Sequence, residues 1–381
     1  MTRTADPPRC ASANEGQRGR NSAVPGWFYG RNRSSPRGWL GAPERPRRSR
    51  FVAAFAFCCA TASAAVNPIQ IENAKPGTSA WELPGGGAGS IPTPSQNIEG
   101  YTSQASVAPG DVLSLHVSTV PAAPYRIEIF RLGWYGGLGG RRVACLPSCG
   151  GSEPGIDQPV RSPDPSTGEL DTGWRVTDAV SVGAAWTTGY YVAKLILTGG
   201  ANAGQGSWVP FIVRAPAGAK SAILVQASVN TWEAYNNWGG KSLYSYNSTA
   251  SPVSASHTNA AAMVSFNRPY AGITEFFKRE YNLVRFLERH GYDVSYQTDA
   301  DTDLNPSSLL SHRLDVVSGH DEYWSSTMRD AYEAARSADV NLAFLGGNIG
   351  YWQLRYAKRS NCIQSQTWPF LVNPVQVQRS A

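Results

Sequence analysis

The chain has 381 residues and a formal net charge of +6, and its length allows two ordinary hydrophobic cores, so we expect two domains with appendages. The positive charge is confined to residues 1–50, which hold 11 Arg, no Lys and 3 acidic residues, whereas the remainder holds 23 basic and 25 acidic residues, a charge of −2. This balance argues against a nucleic acid or another polyanion as the partner of the folded part.

The amino-terminal region has the composition of a leader rather than of a folded domain. Residues 45–64 place a basic stretch before the apolar run Phe51 to Ala60 and a small-residue cleavage pattern. This order predicts a secretory signal peptide and a secreted or periplasmic mature protein, and the pair Arg47-Arg48 leaves twin-arginine export open. Residues 1–44 are then disordered or lie upstream of the true start. No apolar run is long enough to cross a bilayer, so we expect no membrane span.

Residues 67–214 carry the two-residue period of β-strands, with Gly, Pro and Asp clusters between the apolar runs. The predicted strands cover 113–117, 125–130, 190–197 and 208–213. This pattern predicts an immunoglobulin-like β-sandwich. Cys145 and Cys149 lie in one loop of an exported domain, so we expect a local disulfide rather than a metal site.

Residues 219–381 alternate strands with helices, which predicts a doubly wound α/β domain. The predicted strands cover 222–226, 292–296, 314–317 and 341–345, and the first helix carries an apolar stripe from Ile273 to Leu287. A later helix, capped by Ser325 or Ser326, repeats apolar residues at the helical period: Met328, Ala331, Tyr332 and Ala335.

The run Val316 to Ser325 brings an imidazole and a carboxylate from the end of a strand into a loop. His320 and Glu322 are two residues apart, so an extended backbone would point both side chains to one side. The carboxyl end of a parallel strand is the usual ligand crevice of an open α/β sheet. Further polar loops, at 230–240 and around Asn348, end strands of the same domain. We predict a site here; the simpler alternative is a His320 bonded to backbone and a solvated Glu322.

Four motifs follow one another in this domain. They are Asn230-Thr231-Trp232-Glu233-Ala234-Tyr235, Ser265-Phe266-Asn267-Arg268-Pro269-Tyr270, Gly319-His320-Asp321-Glu322-Tyr323-Trp324 and Gly347-Asn348-Ile349-Gly350-Tyr351-Trp352. Together they resemble the carboxyl-terminal domain of the N,N-dimethylformamidase large (beta) subunit and its relatives. The resemblance implies a glutamine-amidotransferase-like α/β fold after an immunoglobulin-like sandwich. It fades after Tyr356, so we expect the domain to be incomplete at its carboxyl terminus.

The same resemblance implies a hydrolase of a small amide with one ferric iron. It places Tyr235, Tyr270 and Glu322 as ligands, with His320 and Asn348 as nearby polar groups. Ferric iron prefers an all-oxygen ligand set. It also makes bound water lose a proton more readily, so its ligand Glu322 is counted among the catalytic residues as well. His320 would shuttle a proton, and the Asn348 amide would stabilise the oxyanion. A homo-oligomer or a small partner subunit stays open.

Other functions remain as alternatives. His-x-Glu is also half of a zinc-deaminase motif, but no Pro-Cys-x-x-Cys follows it, and the chain has no Gly-x-Ser-x-Gly elbow. From a different class, the chain could be a secreted binding or structural protein whose sandwich contacts a partner and whose α/β half is a non-catalytic relic.

Overall fold

The structure is a computed structural model that describes residues 65–84, 93–248, 259–273, 275–357 and 370–372. The predicted disordered start, 1–44, and signal peptide, 45–64, lie outside the described residues. Val66–Ala381 forms one compact unit, and the domain boundary predicted near 215–218 stays a prediction. Within the described residues, no helix is long and apolar enough to cross a membrane.

The amino-terminal half is built from strands after one short helix. Its elements are α1 (Pro68–Asn73), β1 (Ile98–Thr102), β2 (Ser106–Val107), β3 (Val112–Thr119), β4 (Tyr125–Leu132), a 3-10 turn (Tyr135–Gly137), β5 (Gly140–Leu146), β6 (Asp178–Ser181), β7 (Gly189–Leu197) and β8 (Gly206–Val213). They form a three-stranded sheet, β1-β3-β6, and a five-stranded sheet, β2-β8-β7-β4-β5. The predicted alternation is confirmed in β3, where Leu113, Leu115 and Val117 are fully buried.

The five-stranded sheet is buried on both faces. Along β7, Tyr191 and Ala193 enter the core that is shared with the three-stranded sheet, while Tyr190 and Val192 enter the core that is shared with the α/β half. Because successive strand residues point to opposite faces, a single run of apolar residues serves both layers.

The carboxyl-terminal half mixes strands and helices. Its elements are β9 (Ile223–Ala227), α2 (Val229–Tyr235), β10 (Met263–Val264), a π-helical turn (Phe276–Glu280), α3 (Tyr281–Arg289), β11 (Val294–Thr298), α4 (Asp299–Leu304), β12 (Leu314–Gly319), β13 (Tyr323–Trp324), α5 (Ser326–Ser337), β14 (Asn341–Gly346), β15 (Trp352–Gln353), β16 (Arg355–Ala357) and β17 (Phe370–Val372), with 3-10 turns at Trp238–Gly240, Ser245–Asn247 and Pro306–Ser311. The main sheet is parallel in the order β11-β9-β12-β14.

The local sequence pattern predicts the cap and the buried face of α5 correctly. Ser325 caps α5 by accepting from the Met328 backbone N–H, and the buried face of α5 consists of the four residues expected from the period: Met328, Ala331, Tyr332 and Ala335. The mixed β and α/β architecture is therefore confirmed, while the immunoglobulin-like and amidotransferase-like identities stay predictions. The expected bond between Cys145 and Cys149 is present.

A buried ion pair joins the two halves. Arg131 of β4 donates to Glu288 of α3 through both terminal nitrogens, at 2.7 and 3.0 Å, and both side chains are fully buried. The Glu288 carboxylate also accepts from Asn73 and Tyr296. Gly133 leaves the space for this pair, since a Cβ there would collide with Glu288.

Replacing Arg131 with Met should destabilise the protein by about 3–5 kcal/mol, because Glu288 would remain buried without its cation. The double variant Arg131→Met/Glu288→Leu should recover much of the loss, since no buried charge is left. Denaturant unfolding measures both. Arg329→Met, in the exposed pair with Glu333, is the control and should cost less than about 0.5 kcal/mol. A loss below about 1 kcal/mol for Arg131→Met would contradict the role given to this pair.

Asp315 of β12 predicts a pH dependence of stability. Its carboxyl is buried, neither oxygen has a hydrogen-bond partner among the described residues, and burial raises its pKa from 3.8 to about 7. Between about pH 4 and pH 7 the folded state therefore keeps a proton that the unfolded state releases. The free energy of unfolding should fall as pH rises through this range. Asp315→Asn should be more stable than wild type at pH 8 by roughly 2 kcal/mol and similar at pH 4. Thermal unfolding across this range measures it, with exposed Asp330→Asn as control; parallel profiles for wild type and Asp315→Asn would refute it.

Candidate active site

The site forms where loops follow β9 and β12 at the carboxyl edge of the parallel sheet. After β9, α2 ends at Tyr235. At the end of β12, Gly319 takes a φ of +83°, and a Cβ at this position would crowd Arg279, so the turn into His320 needs glycine. The Glu322 backbone N–H donates to Thr231 Oγ1 at 2.9 Å, which ties the second loop to α2.

One carboxylate oxygen is the centre of the site. The hydroxyls of Tyr235 and Tyr244 both donate to Glu322 Oε2, each at 2.8 Å. His320 Nε2 lies 3.1 Å from the same oxygen and 3.2 Å from the Tyr235 hydroxyl. Tyr323 donates to the Tyr244 hydroxyl at 2.9 Å. Three oxygens and one nitrogen therefore converge within hydrogen-bonding distance, and the Glu322 side chain is only 4% exposed.

The phenols in this cluster are held protonated. Burial raises the pKa of Tyr235, and the hydrogen bond to Glu322 raises it further, although Tyr244 opposes the change. Burial is also the largest cause of the raised pKa of Tyr244, with contributions from Tyr235 and Tyr323. The rings of Tyr235 and Tyr244 stack with centroids 4.4 Å apart. A cation bound between these oxygens would act in the opposite direction, because it favours the phenolate.

A second buried ion pair fixes the segment between the two tyrosines. Arg268 donates to Glu233 at 2.5 Å, and both side chains are fully buried. The same guanidinium donates to the backbone carbonyls of Asn236, at 2.9 Å, and Lys241, at 2.7 Å. Burial raises the pKa of Glu233 to about 7, and the charge of Arg268 opposes that shift. Arg268 therefore positions the chain that carries Tyr235 and Tyr244.

The sequence of this chain matches a known protein family. Residues 126–369, more than half of the chain, match the family described as N,N-dimethylformamidase beta subunit-like, C-terminal. The chain belongs to this family. The resemblance drawn from the four motifs is therefore confirmed. No curated protein matches the chain.

The structure brings together some of the residues that the family resemblance assigned to the site. Tyr235, His320 and Glu322 are in mutual contact. Tyr270 is elsewhere: it packs against the main core and lines a cavity, and within the described residues it makes no hydrogen bond to these three. Its ligand role stays a prediction without geometric support.

Asn348 is also outside the contact cluster. It occupies an exposed turn with a φ of +55°, and none of the described hydrogen bonds joins its side chain to His320 or Glu322. The turn itself lies beside the loop that carries His320 and Glu322, since the Gly350 N–H donates to the Asp321 carbonyl at 2.9 Å. The role of Asn348 toward a substrate therefore stays a prediction.

Sequence reasoning missed Tyr244 and Tyr323. Tyr323 follows Glu322 directly within the predicted strand-loop motif, and Tyr244 lies four residues beyond the polar loop predicted at 230–240. The available signal was the pair Gly239-Gly240, which takes φ values of +70° and +80° and lets the chain turn back. That turn returns Tyr244 to the face of Tyr235.

Buried acids lie next to the loop that carries His320 and Glu322. Burial raises the pKa of Asp321 to about 7, while the hydrogen bond from Gln226 opposes the shift. Asp299 has a raised pKa because it is buried and then because Asp321 is close. Its carboxylate accepts from the Asn230 backbone N–H at 2.9 Å, so it anchors the start of α2.

The donor set at the site is unusual for a metal centre. No group of three or more His, Cys, Asp and Glu side chains in the described part of the chain is arranged to hold a metal ion. A metal at the cluster would therefore need the tyrosine oxygens together with Glu322.

Proposed function

We propose that the chain is an exported, iron-dependent hydrolase that cleaves the C–N bond of a small amide. The observation that carries this proposal is the convergence of the Tyr235 and Tyr244 hydroxyls on Glu322 Oε2, each at 2.8 Å. Membership of the N,N-dimethylformamidase beta subunit-like family supports a hydrolase of this type.

The three oxygens suit ferric iron. Two phenols and one carboxylate form a hard, all-oxygen donor set, which ferric iron prefers. Tyr235, Tyr244 and Glu322 would hold the ion, and the phenols would release their protons on binding, as metal ligands must. When bound, the metal supplies Lewis acidity and makes water a nucleophile at neutral pH. We propose Tyr244 as the third ligand, and the expectation for Tyr270 is tested beside it.

The chain's own side chains would move the protons. In amide hydrolysis a water oxygen adds to the carbonyl carbon, the C–N bond breaks and the amine leaves with a proton. His320 would take the proton of water and deliver it to the leaving nitrogen, a role that its contacts with Glu322 and Tyr235 through Nε2 support. We propose that Asn348 donates its amide to the oxyanion from the turn beside this loop.

Export and assembly belong to the same proposal. The basic, apolar and small-residue order of 45–64 supports secretion or delivery to the periplasm. The family description names a beta subunit, which supports a working assembly with a small partner subunit or with further copies of this chain.

The ligand assignment predicts metal content and colour. Wild type should bind iron and absorb visible light through phenolate-to-iron charge transfer. Glu322→Gln should remove most of the metal, and Tyr244→Phe should remove metal and colour, because each deletes an anionic oxygen. Tyr270→Phe is the matched variant and should change neither. Elemental analysis and visible spectra measure both properties. Loss with Tyr270→Phe but not with Tyr244→Phe would restore Tyr270 to the ligand set, and colourless protein with zinc would overturn the iron assignment.

The proton-transfer roles predict rate losses without metal loss. His320→Ala should keep iron and lower kcat by roughly 10²–10⁴-fold, the range of general acid-base catalysis. Asn348→Ala should keep iron and raise the barrier by roughly 3 kcal/mol, as for a lost oxyanion donor. Amine release from small formamides measures the rates, with Asn341→Ala at the start of β14 as control. Iron-loaded wild type that hydrolyses no small formamide would favour the alternative of a secreted, non-catalytic binding protein.

A further inference from the structure

A second cavity lies apart from the tyrosine cluster. Its volume is about 860 Å³, within the range of roughly 300–1,000 Å³ that is typical of small-molecule sites. Strand β1, strand β8, the 3-10 turn at Trp238–Gly240 and the segment Pro269–Ala271 all contribute to its wall. Tyr235, Tyr244, His320 and Glu322 do not line it.

Glu99 is the charged residue in the described wall of this cavity. One carboxylate oxygen accepts from the Trp238 indole N–H at 2.8 Å, and no described Lys, Arg or His forms an ion pair with Glu99. Burial raises the pKa of Glu99 to about 7, although the Trp238 hydrogen bond opposes the shift. A half-buried carboxylate without a cation is unfavourable in the empty protein, and a cationic ligand would remove that penalty.

The remaining wall suits the same kind of ligand. Trp208, Trp238 and Tyr270 line the cavity, and aromatic rings attract organic cations through their negative faces. Ser207 also lines it, and its buried hydroxyl has no hydrogen-bond partner among the described residues. None of the described lining residues is Lys, Arg or His, so an anionic ligand would meet a carboxylate without any compensating charge.

We infer that this cavity binds an organic ammonium ion, with its charged head between Glu99 and the aromatic side chains. The cavity is larger than a trimethylammonium group, so the ligand carries a tail or enters with water. This site goes beyond the proposed amide hydrolysis and does not rest on it, because its residues are separate from Glu322 and His320.

The test uses choline and its uncharged isostere 3,3-dimethylbutan-1-ol on the full mature chain. Titration calorimetry at pH 8, above the pKa of Glu99, should show choline binding and at least about tenfold weaker binding of the isostere, because only choline carries the charge. Glu99→Gln keeps the shape and an acceptor for Trp238, and it should weaken choline binding by about tenfold or more. The exposed Glu82→Gln changes the same net charge away from the cavity and should bind choline as wild type does.

Three results would overturn the inference. The isostere could bind as tightly as choline, Glu99→Gln could bind choline unchanged, or a neutral disaccharide could bind where choline does not. Each would show that the cavity does not select positive charge. Iron content and formamide hydrolysis are not read in this experiment, so failure here leaves the proposed hydrolase untouched.

Discussion

The fully buried pair of Arg131 and Glu288 is the interaction on which the arrangement of this protein depends. Charges in a low-dielectric interior are tolerated only when their hydrogen bonds are complete. Arg131 meets that condition with Glu288, the Thr188 carbonyl and the Tyr135 hydroxyl. These hydrogen bonds can therefore form together in only one relative position of β4 and α3. With β4 paired between β7 and β5 in the five-stranded sheet, this constraint fixes the sheet against the α/β half and leaves a core shared by both.

The same device is repeated at the candidate site. Arg268 and Glu233 are fully buried, and the guanidinium also takes two backbone carbonyls from the segment that joins Tyr235 to Tyr244. A loop with glycines at its turn has little intrinsic rigidity, because glycine loses more conformational freedom on ordering than other residues. The buried pair supplies the order that the loop sequence lacks. Hydrogen bonds within the loop, from Asn247 to the Tyr235 carbonyl and from Ser248 to the Tyr244 carbonyl, complete the support for the two phenols.

The cluster and the second cavity handle charge in opposite ways. At the cluster, Glu322 accepts hydrogen bonds from two phenols, and the proposed metal would have to replace their protons. At the cavity, Glu99 accepts from one indole N–H and forms no ion pair with a cation among the described residues. The Asn236–Lys241 segment, held by Arg268, contributes to the wall of the cavity and also connects the two cluster tyrosines. One buried ion pair thus holds a segment that both sites share.

The amino-acid sequence alone predicts the local features: the two-residue period of β3, the cap and buried face of α5, and the two-residue spacing that brings the His320 imidazole beside the Glu322 carboxylate. The four motifs also identified the family. These follow from backbone periodicity, which depends on near neighbours. The tertiary structure alone decided that Tyr244 joins Tyr235, that Tyr270 lines another cavity, and that Arg131 pairs with a residue 157 positions away. Such contacts depend on how whole layers pack, and local patterns carry no record of a distant partner.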